Sequence, residues 1–126
     1  MARLRAVTPF LRVPDIDAAV SLFCDTLGFR LEFQGGAYAY VSRDNVAFRM
    51  IEDEPFPPRG EGRYTSYVDV EDVDALWAEL KPKLDLLPPD DVCGPPFDQD
   101  YGQREFWVKG PDGEIIGFGQ GIPRKS

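Results

Sequence analysis

The sequence predicts an α+β fold in which two β-α-β-β-β modules form a curved mixed sheet. Three observations support this prediction: an internal repeat, two amphipathic helices and short strands separated by turn residues. In the repeat, Val13 and Val70 each begin the pattern Val-x-Asp-aliphatic-Asp-Ala, 57 residues apart. A chain of 126 residues has room for one domain, so we expect residues 1–126 to form a single domain of two modules.

Each copy of the repeat is expected to end a strand and begin a helix. The β-prone segments 6–13 and 63–70 precede the two copies. Asp15 and Asp72 then supply side-chain acceptors for the first helical turn, as N-cap residues do. An apolar stripe at helical spacing follows each Asp. The stripe residues are Ile16, Ala19, Val20 and Phe23 in the first helix and Val73, Leu76, Trp77 and Leu80 in the second.

The remaining elements follow from turn residues and short β-prone runs. Gly28 is expected to end the first helix, and Pro82 is expected to end or kink the second. After the first helix, strands are expected over residues 29–34, 37–42 and 46–51. After the second, we expect a short strand near Leu86 and Leu87, a Pro-rich irregular loop over 88–102, and strands over 103–109 and 114–120. The modules thus span about residues 1–52 and 63–122, and an acidic Pro/Gly-rich linker, 53–62, joins them.

Composition excludes several function classes. The chain has no histidine, which removes every mechanism or metal site that needs an imidazole. Its net charge of −8 argues against nucleic-acid binding and favours a cationic partner. Two cysteines, Cys24 and Cys93, are too few for a disulfide scaffold, and residues 1–10 have no apolar run of signal-peptide length. We therefore expect a cytoplasmic protein that does not bind membranes.

The order of the motifs resembles that of the glyoxalase, bleomycin-resistance and extradiol-dioxygenase superfamily, also called vicinal oxygen chelate. The motifs are the two helix entries, Leu27-Gly28-Phe29 after the first helix, and Gly110-Pro111-Asp112-Gly113 before the last strand. In metal-dependent members, ligands lie seven residues before the Asp of each helix entry and four residues after the Gly of the Pro-Asp-Gly turn. Those places, together with the first-module counterpart of the last one, are Thr8, Thr65, Gly117 and Arg49. Because this set offers no imidazole or carboxylate, the sequence predicts no metal and no cofactor.

The sequence resembles most the metal-free bleomycin-resistance type of that superfamily, in Arg43-Asp44 and in Gly102-Gln103-Arg104-Glu105-Phe106. The resemblance implies a protein that sequesters a cationic, aromatic-containing small molecule and catalyses nothing. It also implies a homodimer, domain-swapped through the N-terminal strand, with ligand clefts at the interface.

Strand alternation and this resemblance together nominate a ligand site. Tyr67 and Asp69 share one face of a strand, Tyr38 and Tyr101 correspond to aromatic positions of the drug-binding proteins, and Asp98 and Asp100 add negative potential. Arg49 is expected to pair with a carboxylate such as Asp69 or to hold an anionic ligand group. The predicted ligand-binding residues are Tyr38, Arg49, Tyr67, Asp69, Asp98, Asp100 and Tyr101.

Two alternatives stay open. The first is an enzyme, a glyoxalase-like lyase or isomerase or another small-molecule enzyme of the superfamily without the usual metal ligands, in which Asp69 and Glu105 act as acid and base. The second is a scaffold with an endogenous ligand or a vestigial pocket.

Overall fold

The two modules fold into two four-stranded mixed sheets, each with one helix packed on one face. We describe residues 2–53, 64–111 and 113–123 of a computed structural model. The α+β class and the mixed strand directions are confirmed, and the strands divide into two sheets, one for each module. Most of the predicted linker, 53–62, lies outside the described residues.

The elements appear in the same order in both modules. The first contains β1 (Phe10–Val13), α1 (Ile16–Ser21), a π-helical turn (Leu22–Thr26), β2 (Arg30–Gly35), β3 (Tyr38–Arg43) and β4 (Val46–Glu52). The second contains β5 (Tyr64–Asp69), α2 (Val73–Leu84), a 3₁₀ turn (Pro89–Asp91), β6 (Val92–Asp98), β7 (Gln103–Lys109) and β8 (Glu114–Gly121). The strand orders are β1-β4-β3-β2 and β5-β8-β7-β6, and in each sheet only the first pair is parallel.

Both helices begin at the predicted Asp residues. The side chain of Asp15 accepts a hydrogen bond from the backbone N–H of Ala18 at 3.1 Å, and Asp72 accepts one from Ala75 at 3.0 Å. Both Asp residues have extended backbone, with φ of −138° and −140°. The repeat is therefore a pair of equivalent strand-to-helix transitions.

The core lies between the helices and the helix-facing sides of the sheets. In the first module, Phe23, Phe29 and Phe48 form an aromatic cluster with ring centroids 5.0 to 5.9 Å apart. In the second, Phe106 contacts Trp77 of α2 and Phe118 of β8, each at 5.1 Å. Since alternate strand residues point inward, the other half of each strand faces away from the helix.

The structure differs from the prediction at the start of β1 and in the segment that follows α2. Strand β1 starts at Phe10, where its register with β4 begins, so the predicted strand over 6–13 is shorter in the structure. The prediction of a strand near Leu86 and Leu87 is wrong. The segment 88–102, predicted as an irregular loop, contains β6. Its prolines are tolerated because β6 is an edge strand, and its register with β7 shifts between Cys93 and Phe97.

Helix α2 continues past Pro82 to Leu84 without ending at the proline. Pro82 lies in the last turn, and its missing N–H removes one helical hydrogen bond there. Leu80 and Leu84 are both buried on the sheet, and their packing holds the final turn in place.

Candidate functional site

The face of the second sheet that points away from α2 carries a polar and aromatic cluster. We call this the second outer face. Its residues are Thr65, Tyr67 and Asp69 of β5, Gln103, Glu105 and Trp107 of β7, and Gly117 and Gly119 of β8. The alternation is visible in burial, because Val68 is buried between the exposed Tyr67 and Asp69. The face is therefore positioned by the same pleat that builds the core.

Glu105 is the centre of this cluster. Its carboxylate is only 1% exposed and accepts four side-chain hydrogen bonds. Oε1 accepts from the Tyr67 hydroxyl at 3.0 Å. Oε2 accepts from the Tyr101 hydroxyl at 2.7 Å, the Trp107 indole N–H at 2.7 Å and the Gln99 amide at 3.3 Å. A buried carboxylate held by this many donors stays ionised without a cation beside it.

Proton affinities at the cluster follow from this arrangement. Burial raises the pKa of Glu105, but the hydrogen bonds from Trp107, Tyr101, Tyr67 and Gln99 outweigh it, so the pKa lies below its ordinary value. Burial and the hydrogen bond to Glu105 raise the pKa of Tyr67 far above the usual phenol value. The bond to Glu105 also raises the pKa of Tyr101. Both hydroxyls therefore remain donors at neutral pH.

Two glycines of β8 have no side chain at the place where the rings of the cluster lie. A Cβ at Gly119 would lie 1.8 Å from the Tyr67 hydroxyl oxygen, and a Cβ at Gly117 would lie 2.7 Å from the Trp107 ring. With no side chain between them, Tyr67 and Trp107 meet across β8 with ring centroids 5.6 Å apart. The aromatic surface thus requires glycine at these positions.

The first sheet has an equivalent surface, the first outer face, with different chemistry. Its residues are Phe10 and Arg12 of β1, Tyr38 and Tyr40 of β3, and Arg49 and Ile51 of β4. The Arg49 guanidinium carbon lies 4.5 Å from the centroid of the Tyr40 ring, and its Nη1 donates to the Tyr38 hydroxyl. Among the described residues, these two tyrosines are the side-chain partners of the guanidinium.

The predicted pairing of Arg49 with Asp69 is not found. Arg49 is in the middle of β4 in the first sheet, whereas Asp69 ends β5 in the second. No carboxylate among the described residues lies within ion-pair distance of Arg49, which is half-buried. The other predicted role, holding an anionic ligand group, stays a prediction.

The structure brings together only some of the predicted site residues. Tyr67 and Tyr101 meet at Glu105, and Tyr38 and Arg49 meet on the other sheet. Asp69 and Asp100 are exposed. The charge of Asp69 contributes to the raised pKa of Tyr67, and the charge of Asp100 contributes to the raised pKa of Tyr101.

Asp98 lies apart from the Glu105 cluster. It is opposite Arg104 in the register of β6 and β7, on the side of the sheet that faces α2. Arg104 donates to Asp98 at 2.7 Å and to Asp74 of α2 at 3.0 Å. These contacts tie β6 to the helix, so Asp98 serves the scaffold.

Sequence reasoning missed the centre of the site. It considered Glu105 only as an acid or base for an enzyme and named no ligand-binding role for Trp107, Gln99 or Gln103. One available signal was the alternation along β7, where polar Gln103 and Glu105 interleave with buried Phe106 and Val108. The same rule places Gln103, Glu105 and Trp107 together on the face of β7 opposite to Phe106 and Val108.

Strand register confirms that Arg49 and Gly117 are equivalent positions. Arg49 is opposite Phe10 of β1, and Gly117 is opposite Tyr67 of β5, while Phe10 and Tyr67 are 57 residues apart like the two copies of the repeat. Thr65 is exposed and Thr8 is half-buried. Within residues 2–53, 64–111 and 113–123, no group of three or more Cys, Asp and Glu side chains is arranged to hold a metal ion.

A cavity of about 550 Å³ lies between the modules, next to the N-terminal end of α2. Its floor includes Phe29 and Phe118, and Asp69 is the predicted site residue that lines it. Three of its charged groups serve the fold, because Arg43 is paired with Glu79 at 2.8 Å and Asp72 caps α2. The two outer faces therefore carry the stronger candidate site.

Comparison with known proteins gives concordant results. The family profile described as the glyoxalase/bleomycin resistance protein/dioxygenase superfamily matches residues 4–118. A bleomycin resistance protein of Geobacillus stearothermophilus is 30% identical, over 90% of this chain and 95% of its own. Among solved structures, a bleomycin-binding protein from Streptomyces verticillus, complexed with copper(II)-bleomycin, is 27% identical with a TM-score of 0.75, covering 94% of this chain and 97% of its own.

A second solved structure supports the fold alone. It is a bleomycin resistance determinant encoded on the transposon Tn5, which is 17% identical with a TM-score of 0.74 and covers 94% of this chain and 98% of its own. Among the described residues, the helices are too short or too polar for any of them to cross a membrane.

Proposed function

The chain belongs to the glyoxalase/bleomycin resistance protein/dioxygenase superfamily, and we propose that it binds and sequesters an aromatic small molecule of the bleomycin type without transforming it. The observation that carries the proposal is the Glu105 cluster, a ready-made aromatic surface around one buried carboxylate. The relatives that are named for bleomycin resistance and bleomycin binding support the choice of ligand.

The cluster has the properties of a binding surface. Four hydrogen bonds to Glu105 fix the orientations of Tyr67, Tyr101 and Trp107 before any ligand arrives. Tyr101 is 50% exposed and Tyr67 is 39% exposed, so their rings are accessible for stacking. Each aromatic or cation–π contact contributes about 0.5–2 kcal/mol, and a rigid surface loses little entropy when it binds.

The same hydrogen bonds disfavour the enzymatic alternative. A general base needs a pKa near the working pH. Both oxygens of Glu105 accept hydrogen bonds, and its pKa is lowered. Asp69, the other residue of the hypothetical pair, is not hydrogen-bonded to Glu105. Binding without catalysis and without a metal is therefore the function that we propose.

A cationic ligand suits the charge of the second outer face. Asp69 and Asp100 are exposed beside Tyr67 and Tyr101, and the whole chain carries a net charge of −8. Negative potential around aromatic rings strengthens cation–π contacts with a positively charged ligand.

The proposal includes a homodimer that acts in the cytoplasm. Leu4 and Val7 in the segment that precedes β1 are 97% and 93% exposed, and Phe10 is 53% exposed. Apolar side chains so fully exposed are suited to burial against a second copy, in agreement with exchange of the N-terminal strand. Cys24 and Cys93 are both free thiols, as suits a reducing compartment.

The test is a titration of the full-length protein with metal-free bleomycin, followed by tryptophan fluorescence. We expect saturable quenching that persists in W77F, where Trp107 is the reporter, because Trp77 packs in the core against Phe106. Y101A should bind about tenfold more weakly, since it removes one exposed ring from the surface. Sedimentation of the same sample should give twice the monomer mass of 14.2 kDa, and deletion of residues 1–8 should give monomers.

The control is L86A, which removes a large exposed side chain away from the cluster, 79% exposed against 50% for Tyr101, and should bind as the wild type does. Absence of saturable quenching would contradict bleomycin as the ligand class. A wild-type monomer would contradict the dimer.

A further inference from the structure

We propose that the first outer face is an anion subsite, which binds a planar aromatic group bearing a carboxylate through Arg49. The inference rests on the proposed function in taking the ligand to be an aromatic small molecule. It goes further in assigning a negatively charged group to that ligand and a separate surface that receives it.

The first step is the state of the Arg49 guanidinium. It is half-buried in the middle of β4, and the described residues place no carboxylate within 4 Å of its nitrogens. One of its five N–H groups donates to the Tyr38 hydroxyl, and its plane lies over the Tyr40 ring. A half-buried cation held by neutral partners keeps both its charge and its donors for a further acceptor.

The second step is that the neighbouring charges are already neutralised. Arg12, on the same face, pairs with Asp53 at 2.5 Å. Glu32 of β2 pairs with Arg30 at 3.0 Å and also accepts a hydrogen bond from Ser42 at 2.5 Å. Among the described residues, these two neighbouring charges are paired, whereas Arg49 has no carboxylate within 4 Å.

The third step is the shape and polarity of the surroundings. Phe10 and Phe33 are 53% and 56% exposed, and their ring centroids lie 6.0 and 5.9 Å from that of Tyr38. Ile51, 39% exposed, extends the same apolar surface. Exposed rings next to a guanidinium that has no carboxylate partner among the described residues suit a ligand that is aromatic and anionic together, because the guanidinium fork matches a carboxylate and the rings stack on its apolar part.

The experiment uses 15N-labelled full-length protein, titrated by NMR with 1-naphthoate and, in parallel, with its neutral isostere 1-naphthamide. The Arg49 side-chain N–H reports on the first outer face, and the Trp107 indole N–H reports on the second. We expect naphthoate to shift the Arg49 signal saturably and to bind about tenfold more tightly than naphthamide, as one charge-assisted bidentate contact implies.

Two variants on the same face separate Arg49 from general charge. R49Q should bind the two compounds about equally, whereas R12Q, which removes a cation already paired with Asp53, should keep the preference for naphthoate. Equal affinities in the wild type, a preference that survives in R49Q, or shifts confined to Trp107 would each overturn the subsite. If R49Q does not fold, the subsite is still tested by the wild-type affinities for naphthoate and naphthamide and by whether the Arg49 or the Trp107 signal shifts.

Failure of the subsite and failure of the proposed function give different results. Bleomycin that quenches Trp107 together with equal affinities for naphthoate and naphthamide overturns only the subsite. A clear preference for naphthoate without bleomycin binding supports the subsite and overturns the proposed drug class.

Discussion

Where the first sheet has Arg49 between Phe10 and Tyr40, the second sheet has Gly117 between Tyr67 and Trp107. Without a side chain at Gly117, the two rings beside it meet across the strand, whereas in the first sheet a guanidinium fills that place.

In the row two residues further along β4 and β8, the charged side chain is an arginine in the first sheet, whereas the second sheet has two carboxylates. The first sheet has Ile51 between Arg12 and Tyr38, and the second has Gly119 between Asp69 and Glu105. Three pairs of inward residues stay apolar at the same positions in both modules. These pairs are Leu11 and Val68, Phe48 and Ile116, and Met50 and Phe118, all buried. The comparison teaches that the core sides preserve the repeat, while the outer faces are free to take on opposite chemistry because the core does not depend on them.

The largest expected effect tests whether one carboxylate organises the second face. E105Q keeps the size of the side chain but removes the charge and turns an amide donor toward other donors, so we expect it to lose about 3 kcal/mol of unfolding free energy. Y38F changes the equivalent position of the first module, where one hydroxyl is lost, and should cost about 1 kcal/mol. Urea unfolding followed by circular dichroism measures both. Equal losses in the two variants would mean that the faces are built alike.

The next effect tests the role of glycine. G119A places a Cβ against the Tyr67 hydroxyl and 3.3 Å from the backbone oxygen of Arg104, which displaces Tyr67 from Glu105. We expect a loss of about 2 kcal/mol and faster hydrogen exchange at the Trp107 indole. G121A in the same strand is the control, since its nearest neighbour, Gln103 Nε2, would lie 3.8 Å away, and it should change stability by less than about 0.5 kcal/mol. If G119A is as stable as the wild type and Tyr67 still donates to Glu105, the second outer face does not require glycine at this position.

The smallest effect is the acid dependence of stability. The pKa of Glu105 is lowered on folding, so its contribution is complete above the ordinary carboxyl pKa of about 4.3 and is lost as the pH falls through the folded value. The difference in unfolding free energy between wild type and E105Q should therefore narrow between pH 7 and pH 3, as urea titrations at each pH would measure. A difference that widens in acid would show that burial, which raises the pKa, outweighs the four donors.

Much of the fold could be predicted because its signals are local. Asp15 and Asp72 cap helices through residues three positions ahead, and alternation along β5 put Tyr67 and Asp69 on one face. The errors arose where sheet position decides. Pro95 and Pro96 suggested a loop, but at the edge of a sheet a missing N–H costs little, so β6 forms.

The candidate site was predicted less completely for the same reason. Tyr67, Gln99 and Tyr101 reach Glu105 from a different strand and from a loop, and the sequence gives no distance between them. The pairing expected between Arg49 and Asp69 failed because the two residues belong to different sheets.

By itself, the sequence determined the repeat, the helix entries, the shared face of Tyr67 and Asp69 and the superfamily, since each depends on neighbours along the chain or on motif order. Only the tertiary structure decided that Glu105 collects four donors, that Gly117 and Gly119 make room for rings, and that Arg49 lies among tyrosines. Hydrogen bonds and packing across strands depend on register and on which sheet a strand joins, and these are fixed when the chain folds.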